Sequence, residues 1–196
     1  EYTTDGGTSW TARSPTATSS PVTITGLTNG TAYSIGLRAV NSIGSGTASA
    51  NVAATPFGPP DAPTGLSATP ANTQISVAFT PPSNNGGSAI TNYEYSTDGG
   101  ASWAAFSPTD ASSPVVITGL TNGTTYAIGL RAVNAAGSGT AAAIVSSIAA
   151  DTPNAPTGLS ATASDAQVSV AFTPPSNNGG STITNYEYST DGGTSW

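Results

Sequence analysis

The chain has 196 residues, 36% of them hydrophobic, which is enough apolar material for small cores but not for one large one. Charged residues are only 7%: three Arg, no Lys and ten carboxylates leave a net charge of -7 spread thinly, which excludes a basic footprint for nucleic acid or anionic lipid. His, Cys and Met are absent, so imidazole bases, thiol chemistry, disulfides and the commonest zinc ligands are excluded together.

The chain opens on TTDGGTSW, Thr3 to Trp10, which returns as STDGGASW at Ser96 to Trp103 and STDGGTSW at Ser189 to Trp196. Glu1, Glu94 and Glu187 align in the same way, so the sequence repeats with a period of 93 residues. The eight-residue run resembles the Asp-box of sialidase-like propellers, S-x-D-x-G-x-[ST]-W. A propeller blade spans only ~40 to 50 residues, however, whereas a period of this length matches a β-sandwich module of ~100. The run is either that Asp-box or a tight hairpin inside some other fold; the family resemblance of the motifs that follow implies the hairpin, with Gly supplying positive φ values and Asp98 holding the turn.

Further along come ITGLTNGT at Ile24 and GLRAVN at Gly36, then a proline-containing linker, TPFGPPDAP. The next period shows short alternating apolar runs in chain order: Ile75, Val77 and Phe79; Tyr93 and Tyr95; Val115 and Ile117; Tyr126, Ile128, Leu130 and Ala132; Ala141, Ala143 and Val145. Each run predicts a strand with one inward face. Turn signals separate them: Pro81-Pro82, Asn85-Gly86-Gly87, Asp98-Gly99-Gly100, Asn122-Gly123 and Gly137-Ser138-Gly139. A second linker, IAADTPNAP, precedes another APTGLSAT at Ala155 and PPSNNGGS at Pro174. No segment has helical periodicity, and strands at ~8 to 12 residue spacing predict an all-β sandwich.

The order of these motifs resembles the fibronectin type III module. Its opening A-P-x-x-L is Ala62, Pro63 and Leu66, and again Ala155, Pro156 and Leu159. Its strand B with following prolines is Ile75 to Pro82, and its L-x-x-G-x-x-Y corner is Leu120, Gly123 and Tyr126, repeated at Leu27, Gly30 and Tyr33. The A-x-N-x-x-G end of strand F is Ala132, Asn134 and Gly137. The sequence departs from the family at Phe79 and Phe172, where a core Trp is usual. The resemblance implies tandem, immunoglobulin-like sandwich modules. Residues 1-56 are expected to carry strands C to G of one module, 57-151 a complete module with its linker, and 152-196 strands A to C and the hairpin of a further one. A part-module leaves an apolar sheet face and an edge uncovered, so the flanking stretches are expected to come from a longer array or to complement each other within or between chains.

On strand C, Glu94 is expected outward, opposite Tyr93 and Tyr95, and paired across to Arg131 of strand F, an exposed pair worth ~0.2 to 1 kcal/mol. Tyr33 and Tyr126 are expected in the core, with hydroxyls bonded back to the backbone near the corner. Trp103 with Tyr93 and Tyr95 suggests either a sugar-stacking surface or, as period-two placement favours, core tyrosines with Trp103 covering the hairpin. Asn84, Asn85 and Asp98 offer oxygen ligands, but SNNGGS lacks the dense carboxylates of calcium loops, so no metal or cofactor is expected. The linkers predict end-to-end modules with limited bending.

No RGD tripeptide occurs, no run approaches the ~18 apolar residues of a membrane span, and no charged and apolar leader opens the chain, so an export signal is expected outside these residues. Without His, Lys or Cys no nucleophile and base pair up, and an enzyme is not expected. The family resemblance and the Thr, Ser, Gly and Pro rich, cysteine-free composition together imply an extracellular or cell-surface bacterial protein, serving as a stalk, spacer or adhesive filament. Its expected partners are neighbouring modules of the same or identical chains, and a cell-surface glycan or protein in the alternative that it is a ligand-binding module. A further alternative is an accessory segment of a large secreted polysaccharide-degrading enzyme.

Overall fold

The computed structural model describes residues 1–196 as thirteen β-strands with no helix. Strands β1 (Tyr2–Thr3), β2 (Tyr33–Leu37) and β3 (Val52–Ala54) form an antiparallel sheet near the N-terminus. The central module follows. Its strands β4 (Thr64–Ala71), β5 (Gln74–Thr80) and β8 (Val115–Thr118) make one sheet, ordered β4-β5-β8. The facing sheet contains β6 (Asn92–Ser96), β7 (Ala104–Ala105), β9 (Thr125–Asn134), β10 (Gly137–Ala141) and β11 (Val145–Ile148), with β9 bonded to β6, β10 and β11. Last come β12 (Thr157–Ser164) and β13 (Gln167–Thr173), an isolated hairpin.

Period-two alternation explains which side chains meet between the two central sheets. Ile75, Val77 and Phe79 of β5 and Val115 and Ile117 of β8 face Tyr93 of β6 and Ile128, Leu130 and Ala132 of β9; all are buried in one cluster that also takes in Ala149. Phe79 meets Tyr93 edge-on with ring centroids 4.6 Å apart, so an aromatic pair fills the place where the family usually has Trp. Leu66, Leu120, Tyr95, Phe106 and Tyr126 line the rim.

The last apolar run departs from its expected phase. Ala141 and Ala143 are exposed, while Ala142 and, beyond a break, Val145 and Ala149 turn inward. The chain leaves the ladder between β10 and β11, and the β10 pairing itself shifts register between Ser138 and Ala141, so one alternation cannot run through both pieces.

The flanking stretches form fewer strands than expected. Residues 1-56 contain the equivalents of strands C, F and G but no strand E around Ile24, and residues 185-189 do not form strand C. Pairing gives the reason. In the central module β8 bonds only to β5, and β6 gains its long ladder from β9. Residues 1-56 hold no counterpart of β5, and residues 152-196 hold none of β9. Where both partners exist, the local structure repeats: β12 and β13 pair in the register of β4 and β5, displaced by one period.

Candidate functional site

The outward face of the β6-β9 sheet carries the polar cluster with the most interlocked chemistry. Glu94 and Arg131 are direct partners in the register of the two strands, which places both side chains on one face. Arg131 Nε donates to Glu94 Oε2 at 2.6 Å, and Ser138 Oγ donates to the same oxygen at 2.8 Å. The Arg131 guanidinium carbon lies 4.4 Å from the ring centroid of Trp103, within cation-π range. Trp103 is anchored in turn, since its Nε1 donates to the Gly100 carbonyl at 3.1 Å. The first stretch repeats the arrangement: Arg38 pairs with Glu1, Ser45 donates to Glu1, and Arg38 lies 4.4 Å from the Trp10 ring.

The hairpin beneath the indole is held by Asp98. Its Oδ1 accepts from Ser96 Oγ at 2.7 Å and from the Ser102 amide at 2.9 Å, and its Oδ2 accepts from Ser102 Oγ. These donors, Ser102 foremost, hold the Asp98 carboxyl well below the usual carboxylate range. Asp5 and Asp191 share the shift in the other two copies. Gly99 and Gly100, at φ 76° and 95°, supply the left-handed residues of the turn. The DGG run is thus a local hairpin whose carboxylate oxygens are occupied by its own serines.

At the opposite rim, Tyr126 Oη accepts the Thr121 amide proton at 2.9 Å, and Tyr33 Oη accepts that of Thr28 at 2.9 Å. Both rings are half-buried rather than part of the core, because each sits at a strand start where its hydroxyl reaches out to the corner. Leu120 packs at the rim of the central core, whereas Leu27 lies in a stretch with no facing sheet. Phe172 meets Tyr186 in a tilted ring contact with centroids 4.5 Å apart but stays 37% exposed.

Two features were not legible as roles in the sequence. Tyr93 is fully buried, its hydroxyl has no hydrogen-bond partner, and burial pushes its phenol pKa up. Asn134, visible only as a motif residue, is buried, and its Nδ2 donates to the carbonyls of Gly58 and Asn85 at 2.8 Å each. No three carboxylate, His or Cys side chains converge as a metal would require. Chemically the cluster is a surface brace: the carboxylate, the guanidinium Nε, the hydroxyl and the ring each meet another group of the same module.

Fold and brace together define a two-sheet sandwich module. Residues 61–148 match the sequence model of the Fibronectin type III domain. A fibronectin type III domain is thus recognised over the central module, and the flanking stretches repeat its sequence. Among solved structures it is similar to "Titin kinase and its flanking domains", at 23% identity and a TM-score of 0.40 over 47% of this chain and 17% of that one. Domains from titin match at 21% identity and 0.43, over 60% of this chain and 40% of theirs. The chicken CNTN1 FN1-FN3 domains match at 22% and 0.40, over 61% and 42%. The chain thus spans less than half the length of each of these structures. Fibronectin type III domains are generally noncatalytic structural or binding modules and are commonly extracellular. No helix of this chain is long and apolar enough to cross a membrane.

Proposed function

We propose that this chain is a noncatalytic spacer, a segment of a stalk or filament on an extracellular bacterial surface protein. The observation that carries the reading is the repetition of the outward brace. Glu94, Arg131, Ser138 and Trp103 recur as Glu1, Arg38, Ser45 and Trp10 with the same partners and the same 4.4 Å stacking distance. A surface that reads a ligand is expected to vary from copy to copy, whereas here carboxylate, guanidinium Nε, hydroxyl and ring meet the same partners in both copies. The stacked guanidinium also occupies the Trp103 face that a sugar would need, which argues against the glycan-binding alternative. The cysteine-free composition agrees with export.

The test is a binding screen of the full chain against arrays of glycans and of extracellular-matrix and cell-surface proteins. A spacer gives no saturable binding. Saturable binding that Trp103→Ala or Arg131→Ala abolishes, with the melting temperature of the central module retained, would replace the spacer reading with a ligand-binding one.

A further inference from the structure

Where one repeat meets the next, the same main-chain bonds occur twice. At the first junction the Gly30 amide donates to the Pro56 carbonyl at 2.8 Å, the Gly58 amide to Gly86 at 2.8 Å, and the Asp61 amide to Asn84 at 3.0 Å. One period later, Gly123 donates to Ala149 at 2.8 Å, Asp151 to Gly179 at 2.8 Å, and Asn154 to Asn177 at 3.0 Å. The first bond of each set ties the linker to the corner of the preceding repeat; the other two tie it to the loop after strand B of the following one. Only Phe57 in the first linker, and Ala150 in the second, lies between the two anchor points. A tether pinned to both bodies one residue apart has no free backbone with which to bend.

The two bodies also touch directly, through glycines. A Cβ built on Gly30 would lie 3.2 Å from the Cα of Gly87, and one on Gly123 would lie 3.3 Å from that of Gly180. A Cβ on Gly87 or Gly180 would overlap the backbone nitrogen of Gly30 or Gly123. The linker side chains differ between the junctions, Phe57-Gly58-Pro59 against Ala150-Asp151-Thr152, yet the bonds do not, because they run through main-chain atoms alone. In the complete module, Asn134 adds bonds to Gly58 and Asn85, and the Thr140 amide donates to Pro60 at 3.2 Å.

We propose that the loop after strand B is a docking surface for the corner and outgoing linker of a preceding copy of the same repeat, a backbone clamp that fixes every junction in one orientation. The clamp converts a chain of modules into a stiff rod of constant step. It deepens the spacer reading by supplying the stiffness, and it stands or falls on a separate measurement.

The chain has no cysteine of its own, so spin labels can be placed at Ala101→Cys and Thr162→Cys, both exposed and on opposite sides of the second junction. Pulsed electron resonance on the full chain should give a single narrow distance distribution. Gly180→Ala should broaden it about twofold, towards that of a flexible tether. Gly119→Ala is the control: its φ of 76° imposes the same left-handed strain, but nothing lies within 4 Å of a Cβ there, so the distribution should stay narrow. Gly123→Ala, which crowds the clamp from the other side, should reproduce the broadening if Gly180→Ala also disturbs its own loop. A broad distribution in the parent chain, or one left narrow by both clamp substitutions, overturns the proposal. Either result would leave the noncatalytic reading to the binding screen.

Discussion

Two tyrosine hydroxyls of the central module sit in opposite circumstances. Tyr126 Oη accepts the Thr121 amide at the corner, and its loss removes a hydrogen bond without leaving a buried group behind. Tyr126→Phe should therefore cost about 1 kcal/mol, read as a lower melting temperature with an unchanged fold. Tyr93 Oη is buried with no partner, so Tyr93→Phe removes a desolvated group and should leave the melting temperature equal or higher. A fall of several degrees in Tyr93→Phe would show that its hydroxyl is bonded in solution. Asp98 supplies a pH-dependent counterpart. Its folded-state pKa is depressed by Ser102 and Ser96, so the turn's contribution is fully present above about pH 4 and is lost as pH falls through the folded value. Melting temperatures measured at about pH 7 and about pH 2.5 should differ less for Asp98→Asn than for the parent chain, and an equal difference would remove Asp98 from the acid response.

The chain contains its own control for what a facing sheet contributes to a strand. Strands β5 and β13 are nearly identical in sequence and pair with β4 and β12 in the same register, yet Val77 is 0% exposed and its counterpart Val170 is 51% exposed. Val77→Ala should cost about 2 kcal/mol in denaturant unfolding, whereas Val170→Ala should cost less than about 0.5. Equal effects would mean that β13 finds a second sheet in solution. The same contrast marks what could be read from the sequence. Alternation in β5, β8 and β9 identified their inward residues because each has one buried face and an unbroken ladder. It failed past β10, where a break resets the phase between Ala141 and Val145. It also failed for strand E of the first stretch and strand C of the last, because pairing is a tertiary fact that needs a partner strand. Of the brace, the Glu94 and Arg131 pair was legible from strand adjacency, while the Trp103 stack and the Ser138 bond depend on how the hairpin folds back. Nor did local chemistry announce Thr73, a β-branched residue at φ 52° whose amide donates to Asn122 Oδ1 and whose carbonyl accepts from Leu120.

The three arginines map how well each part of the molecule is protected from proteolysis. With no Lys, trypsin has only Arg13, Arg38 and Arg131 to cut after. Arg13 lies in the strand-free stretch that follows the first hairpin. Arg38 follows the end of β2, braced by Glu1 and Trp10 but in a sheet with no facing layer. Arg131 is inside β9, hydrogen-bonded between β6 and β10, and its neighbours Leu130 and Ala132 are core residues. Cleavage needs a locally unfolded segment, and opening β9 means opening the whole central module. Trypsin should therefore cut first after Arg13, more slowly after Arg38 and last after Arg131, an order that intact-mass measurements over a digestion time course would read directly. Cutting after Arg131 as fast as after Arg13 would mean that the central sandwich does not hold strand F. The repeat sharpens the point, since the residue one period after Arg13 is Phe106, which packs against Tyr95 at the core rim. In the complete module the accessible site is thus replaced by a packing residue, and the one arginine that remains is the one the fold protects best.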